Sequence, residues 1–135
     1  MSEKLCALRK IGGGMSEKVL WTNANPTSSF NASACSLSES VDNFDYIKVL
    51  YRVSTSNSTQ GSALWPVATI KTSSGGANKI RASFASQNAN SVIYARIIGY
   101  NNAQSLQIGV SSVWGQSLND NTTVIPLNII GIKVS

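Results

Sequence analysis

Few residue types in this chain are suited to acid–base or nucleophilic chemistry. The sequence contains no histidine, which excludes histidine-dependent triads, histidine general bases and histidine-ligated metals. Its two cysteines, Cys6 and Cys35, cannot form a four-thiolate zinc site within one chain. Serine is abundant, but a nucleophilic serine needs a base within hydrogen-bond reach, and no lysine spacing assigns one. We therefore expect no catalytic residue, no metal site, no cofactor and no enzymatic activity.

The acidic residues include one group, Glu39, Asp42 and Asp45, whose members lie close together in sequence. Aspartate commonly shapes the turn that leads into a strand, and we favour this structural role for Asp42 and Asp45. A calcium site or a glycosidase-type carboxylate pair is the alternative.

Aromatic side chains beside amides and hydroxyls are the clearest sign of a recognition function. Sugars bind to such mixtures, because an apolar ring face stacks on an aromatic ring while Asn, Gln and Ser satisfy the sugar hydroxyls. Three aromatic residues stand beside such groups near predicted strand ends, where the loops of a sandwich gather. The candidate ligand-binding residues are Trp65, Tyr100, Asn101, Asn102, Trp114 and Gln116. The alternative is that each aromatic ring anchors the core.

Charge and hydropathy argue against nucleic-acid and membrane partners. The net charge is +5, but the basic residues are scattered rather than clustered, which predicts solvated strand faces and no nucleic-acid partner. The basic residues include Lys48, Arg52, Lys71, Lys79, Arg81, Arg96 and Lys133. No apolar run approaches about 18 residues, so we expect no membrane insertion. The first residues lack the apolar core of a signal peptide, which indicates synthesis in a cytoplasm without export.

The elements that must position these residues are predicted to be strands. Apolar residues alternate with period two in segments 44–53, 78–85, 91–100 and 104–114, and more weakly in 18–22, 33–41 and 63–72. Turn-forming residues separate them, at 55–61, 73–76, 86–90, 101–102 and 117–121. Cys35 shares its register with Leu37 and Val41, which predicts a small core residue. The pattern predicts an all-β antiparallel sandwich or jelly roll in one domain, without a helix.

The last predicted strand, 122–134, is apolar on both faces. It must therefore be covered on both sides, either by this chain's own second sheet or by another copy of the protein. Pro126 cannot donate to a strand ladder, which places it at an edge or bulge and favours a subunit contact. We expect a homo-oligomer whose interface candidates are Val124, Ile125, Leu127, Ile129, Ile130 and Ile132.

Residues 1–14 differ from the rest of the chain. They mix charged and apolar side chains and end in three glycines, which commonly form a flexible joint. We expect a short arm with a glycine hinge, followed by a β-sandwich domain over residues 15–135.

Two segments resemble a known family. The sequence LWTNANPTSSF at 20–30 resembles the opening of a small β-domain found in tail-fibre and other adsorption-associated virion proteins of phages infecting Gram-positive and gut bacteria. The sequence IPLNIIGIK at 125–133 resembles the closing strand of that domain. The resemblance implies a virion fibre tip or knob, often trimeric, that binds a host-surface ligand without cutting it. It transfers no individual binding residue to this chain.

These observations combine into one leading hypothesis. The chain is expected to be a non-enzymatic phage virion protein, assembled in the host bacterial cytoplasm as a homotrimeric knob that binds a bacterial surface glycan. Residues 1–14 would attach it to another virion protein. Two alternatives remain: a structural capsid or tail decoration protein without a ligand of its own, and a small polysaccharide hydrolase.

Overall fold

The computed structural model describes residues 14–73, 82–87, 92–113 and 121–135. Nine strands and one short α-helix form within these ranges. The strands are β1 (Met15–Thr22), β2 (Ser33–Ser36), β3 (Tyr46–Ser54), β4 (Gln60–Pro66), β5 (Ala82–Gln87), β6 (Ile93–Asn102), β7 (Ser105–Ile108), β8 (Ser112–Val113) and β9 (Thr123–Val134). The helix α1 spans Val67–Thr72, and a single 3-10 turn spans Val41–Asn43. Of the predicted arm, residues 1–13 lie outside the described part of the chain.

The strands form two antiparallel sheets. Sheet A has the order β1-β9-β3-β4, so that β9 lies between β1 and β3. Sheet B has the order β2-β7-β6-β5, and β8 pairs with β6 on the side that β7 occupies further along. The predicted all-β sandwich class is thereby confirmed.

The core lies between the inner faces of the two sheets. Along β3 the alternation is that of a half-buried strand: Ile47 and Val49 are fully buried, while Lys48 and Arg52 are only partly covered. Sheet B supplies a second layer of buried side chains, which are Cys35, Phe84, Ile98, Leu106 and Ile108. Cys35 is thus a core residue as expected, and its burial raises the pKa of the thiol to about 12.

The expectation that the chain forms no helix is wrong at one place. Segment 63–72 continues as a strand only to Pro66 and then turns into α1. Within α1 the two buried residues are Val67 and Ile70, which are three apart and so lie on one helical face. Because a period-two pattern and a short helical pattern share many positions, six residues are too few to separate them by sequence.

The sandwich has two distinct ends. At one of them, here called the Gly14 end, Met15 pairs with Val134, and Gly14 donates its backbone N–H to Ser135 Oγ over 2.9 Å. At the opposite end, here called the hairpin end, the 55–59 turn joins β3 to β4, and Ser54 pairs with Thr123 at the start of β9. The two ends differ in the side chains that they present to solvent.

Gly131 in β9 allows the ring of Phe44 to pack closely against the backbone near the Gly14 end. It pairs with Ile47, and the ring of Phe44 occupies the space where a side chain would project. A Cβ at this position would lie 2.6 Å from Cγ of Phe44, so the ring would have to move.

We predict that Gly131→Ala lowers the free energy of unfolding by about 1–3 kcal/mol, because overpacking forces the half-buried ring of Phe44 from its position against the core. Chemical denaturation measures the change. Gly109→Ala is the matched control, since a Cβ there would meet its nearest neighbour at an ordinary 3.5 Å. If both variants unfold at the same denaturant concentration as the wild type, the close packing of Phe44 on Gly131 is refuted.

Candidate functional site

The sequence-predicted ligand residues are divided between the two sheets. Trp65 lies on β4, and its half-buried ring packs edge-on against Phe84 with a centroid distance of 6.4 Å. Tyr100 lies on β6, half-buried against the core, and is followed by the exposed Asn101 and Asn102. Trp114 and Gln116 lie outside the described residues. The structure thus brings Tyr100, Asn101 and Asn102 together at the end of one strand.

The two asparagines after Tyr100 already have partners within the turn that joins β6 to β7. Asn101 Nδ2 donates to Ser105 Oγ and to Gln107 Oε1, both over 3.2 Å. Asn102 Oδ1 accepts the backbone N–H of Gln104 over 2.9 Å. A ligand at this place would compete with these hydrogen bonds.

The sequence-predicted interface residues on β9 are largely covered within the single chain. Val124, Ile125 and Ile129 are fully buried, Ile130 and Ile132 retain 5% and 6% of their exposure, and Leu127 is half-buried. Ile129 belongs to the main core, whereas Ile130 and Ile132 point to the outer face of sheet A. A second copy of the chain could therefore reach few of these side chains directly and would first contact the exposed side chains beside them.

The outer face of sheet A has exposed apolar side chains on its two edge strands, β1 and β4. The pairing aligns Val19, Ile130, Lys48 and Leu64 in one row across the four strands. Val19 and Leu64, at the two sides of the row, are 51% and 49% exposed. Met15 at the end of β1 is also exposed. The row of Val19, Ile130, Lys48 and Leu64 is here called the outer apolar row.

An ion pair lies across the middle of this face. Lys48 Nζ on β3 contacts Glu17 Oε1 on β1 over 2.7 Å, so the pair spans β9, which lies between the two strands. The lysine stem thereby covers apolar surface while its charged end stays near solvent. This contact accounts for the low exposure of Ile130 and Ile132 in the single chain.

The three neighbouring acids have separate structural partners. Glu39 forms an ion pair with Lys18 over 2.7 Å, and the hydrogen bonds from Lys18 and Asn43 lower the pKa of its carboxyl. Asp42 pairs with Lys71, while Asp45 Oδ2 accepts the backbone N–H of Val134 over 2.7 Å. Across the described ranges, no three side chains of His, Cys, Asp or Glu are grouped as metal ligands would be.

The hairpin end contains a polar groove of about 360 Å³. It lies where the turn after β3 meets the end of β5, the start of β6 and the start of β9. Thr55 donates its backbone N–H to the carbonyl of Thr122 over 2.9 Å, which joins two of these segments. The described lining residues are Val53, Ser54, Thr55, Ser56, Asn57, Ser86, Gln87, Tyr94, Thr122 and Thr123.

Several polar groups of this groove have no partner in the described part of the chain. The hydroxyls of Tyr94 and Ser86 and the side-chain amide of Gln87 make no hydrogen bond there. Ser54 and Ser56, in contrast, contact each other through their Oγ atoms over 3.3 Å. The groove therefore combines a fixed hairpin wall with unused donors and acceptors from sheet B.

Arg96 holds the segment that forms one side of the groove. Its side chain is fully buried, and its guanidinium donates to the carbonyls of Gly109, Asn121 and Thr123 over 2.9–3.2 Å. The ring of Phe30 stacks 5.4 Å from it. Arg96 therefore fixes the chain immediately before and at the start of β9.

The backbone at the start of β9 is strained, and the hydrogen bonds from Arg96 help to hold it in place. Val124 adopts a φ of 52°, a left-handed conformation that costs an L-residue about 1–2 kcal/mol. Its side chain is fully buried in the core. Core packing and the bonds from Arg96 to the preceding carbonyl together offset the strain.

Sequence reasoning missed both Arg96 and the groove. Arg96 was expected on a solvated face, although it shares the even positions of Tyr94 and Ile98, which lie on the core side of β6. That shared register was the available signal. The groove residues were recognisable only as turn or strand residues, because four distant segments form it.

Comparison with known proteins assigns no family to this chain. No protein-family model matches it, and no curated protein matches it either. Within the described residues, no helix is both long enough and apolar enough to cross a membrane.

We predict that Arg96→Met lowers the free energy of unfolding by about 3 kcal/mol or more, because it removes the hydrogen bonds of a buried guanidinium to the partly buried carbonyls of Gly109, Asn121 and Thr123. Thermal or chemical denaturation measures the loss. Lys133→Met, which removes an exposed cation from β9, should stay within about 0.5 kcal/mol of the wild type. Equal stability of Arg96→Met and Lys133→Met would contradict the role given to Arg96.

Proposed function

We propose that this chain is a non-enzymatic knob domain of a phage virion fibre, assembled as a homotrimer, that holds a glycan on the bacterial surface. The observation that carries the proposal is the outer face of sheet A, where Val19 and Leu64 remain about half exposed on either side of β9. Val19 and Leu64 flank the covered Ile130 and the charged Lys48 in the outer apolar row, so a partner that contacts both edges of the sheet would cover the two exposed side chains.

The geometry of this face favours further copies of the same chain as its partner. Val19 lies at one margin of the sheet and Leu64 at the other, so the two margins differ. In a closed ring each copy presents one surface to the next copy and a different surface to the previous one. Three sheets arranged around an axis would place Val19 of one copy near Leu64 of the next.

Charge supports the same arrangement. Glu17 and Lys48 carry opposite charges in the middle of the face, and about half of the Glu17 side chain is exposed. A neighbouring copy brings the same two charges, so the ion pairs can extend between subunits without leaving a charge unpaired.

The position of residue 14 supports attachment through the arm. Gly14 lies beside Ser135 at the Gly14 end, so residues 1–13 join the domain at that end. The hairpin end is then free to face the host. Several knobs on one particle would multiply weak glycan contacts, because each further contact becomes intramolecular once the first has formed.

We predict that the fluorescently labelled protein binds purified cell walls from at least one member of a panel of Gram-positive and gut bacteria. The same walls stripped of polysaccharide should not bind it, because the glycan is the ligand. Sedimentation of the walls with bound label measures the effect. Failure on intact and stripped walls alike would remove the receptor role and leave a decoration protein, whereas release of reducing ends from the walls would indicate a hydrolase.

The variant Leu64→Lys tests how much assembly of several copies contributes to the binding of cell walls. This variant places a charge on the outer apolar row at an exposed position, so we expect a normal fold and a loss of apparent wall affinity of about 100-fold or more. Ser83→Lys, which adds the same charge at an exposed position on sheet B, is the matched control and should bind like the wild type.

A further inference from the structure

The polar groove lies far from the point where the arm leaves the domain. Strand β9 begins at Thr123, which lines the groove, and runs to Val134, which pairs with Met15 at the Gly14 end. At about 3.3 Å per residue the strand separates the two places by roughly 35 Å. A knob that is attached through its arm therefore presents this groove outward.

Three of the sequence-predicted ligand residues, Tyr100, Asn101 and Asn102, lie at the other end of β6. This strand begins with Ile93 and Tyr94 beside the groove and ends with Asn101 and Asn102. The asparagine end is close to the Gly14 end, because Ala103 accepts the backbone N–H of Val41 and Asp45 bonds to Ile132 on the same side. The groove and the asparagines are thus two separate candidate positions.

The chemistry of the groove is that of an uncharged polar ligand. Its described lining contains hydroxyls, amides and one phenol, and no charged side chain. Its volume of about 360 Å³ falls near the lower limit of the roughly 300–1,000 Å³ that is typical of small-molecule sites. Ser86, Gln87 and Tyr94 offer donors and acceptors that no other described residue uses.

One wall of the groove is rigid before any ligand arrives. Arg52 Nε donates to the carbonyl of Ser54 over 3.0 Å, and the backbone of Thr55 is bonded to Thr122. On the far side Arg96 fixes Thr123. Because these segments are held in place, a ligand that binds here loses little affinity to ordering of the protein.

We propose that this groove binds one or two units of a neutral saccharide. The hydroxyls of Ser86 and Tyr94 and the side-chain amide of Gln87 would bond the hydroxyls of the sugar, while the ring of Tyr94 stays packed against the core. This inference rests on the proposed glycan-binding function and gives it a position and a ligand class. A charged sugar is disfavoured, because the described lining offers no ion-pairing partner.

Ligand-observed NMR with free neutral sugars tests the proposal on the full chain. The probes are glucose, galactose, mannose, rhamnose, N-acetylglucosamine and N-acetylgalactosamine, with N-acetylneuraminic acid as the charged comparison. Gln87→Ala removes an exposed side chain that bonds to none of the described residues, and Tyr94→Phe removes one hydroxyl while the ring stays. Each should reduce the saturation-transfer signal of the bound sugar at least about fivefold.

Two matched controls separate the groove from the other end of β6. Gln104→Ala removes an exposed glutamine side chain in the turn after β6, and Asn101→Ala alters the asparagine position. Both should bind neutral sugars like the wild type, and N-acetylneuraminic acid should give no signal. Loss of binding in Asn101→Ala with unchanged Gln87→Ala and Tyr94→Phe would overturn the groove while leaving the proposed function intact.

Two further outcomes separate the groove proposal from the proposed receptor role. If no neutral sugar gives a signal but the protein binds intact cell walls, the groove proposal is wrong and the receptor role stands. If neither the sugars nor the walls bind, both proposals are wrong.

Discussion

Strand β9 is apolar on both faces and lies between β1 and β3, so it must be covered on two sides at once. On the inner side Val124 and Ile129 join the core between the sheets. On the outer side, within the described residues, the ion pair of Lys48 and Glu17 lies across β9, and Ile130 and Ile132 are 5% and 6% exposed. The inner cover stabilises the sandwich, and the exposed Val19 and Leu64 beside the outer cover are the residues through which we propose assembly with further copies.

A second constraint acts at the start of the same strand. Val124 has a left-handed backbone and a buried side chain, and the carbonyl before it is held by the buried guanidinium of Arg96. Arg96 therefore links sheet B to β9 and positions Thr123 in the wall of the groove. The shape of the hairpin end thus depends in part on the side chain of Arg96. The attachment that we propose at the Gly14 end and the recognition that we propose at the hairpin end are compatible, since β9 runs from one end to the other.

The fold class was predictable because period-two alternation, as in Ile47 and Val49 against Lys48, is a local property of the chain. Helix α1 was not, since Val67 and Ile70 fit a strand or a helix over so short a segment. The burial of Arg96 depends on carbonyls from Gly109 to Thr123, which sequence spacing does not bring together. The groove was unpredictable for a related reason, because Asn57, Gln87 and Thr122 meet only after both sheets have formed.

The central claim is that copies of this fold assemble around the outer face that contains β9. Sedimentation equilibrium of the full chain tests it most directly, because it measures the mass in solution independently of molecular shape. The account predicts a mass three times that of the 14.3 kDa chain. A mass equal to that of one chain, unchanged as the protein concentration is raised, would contradict it.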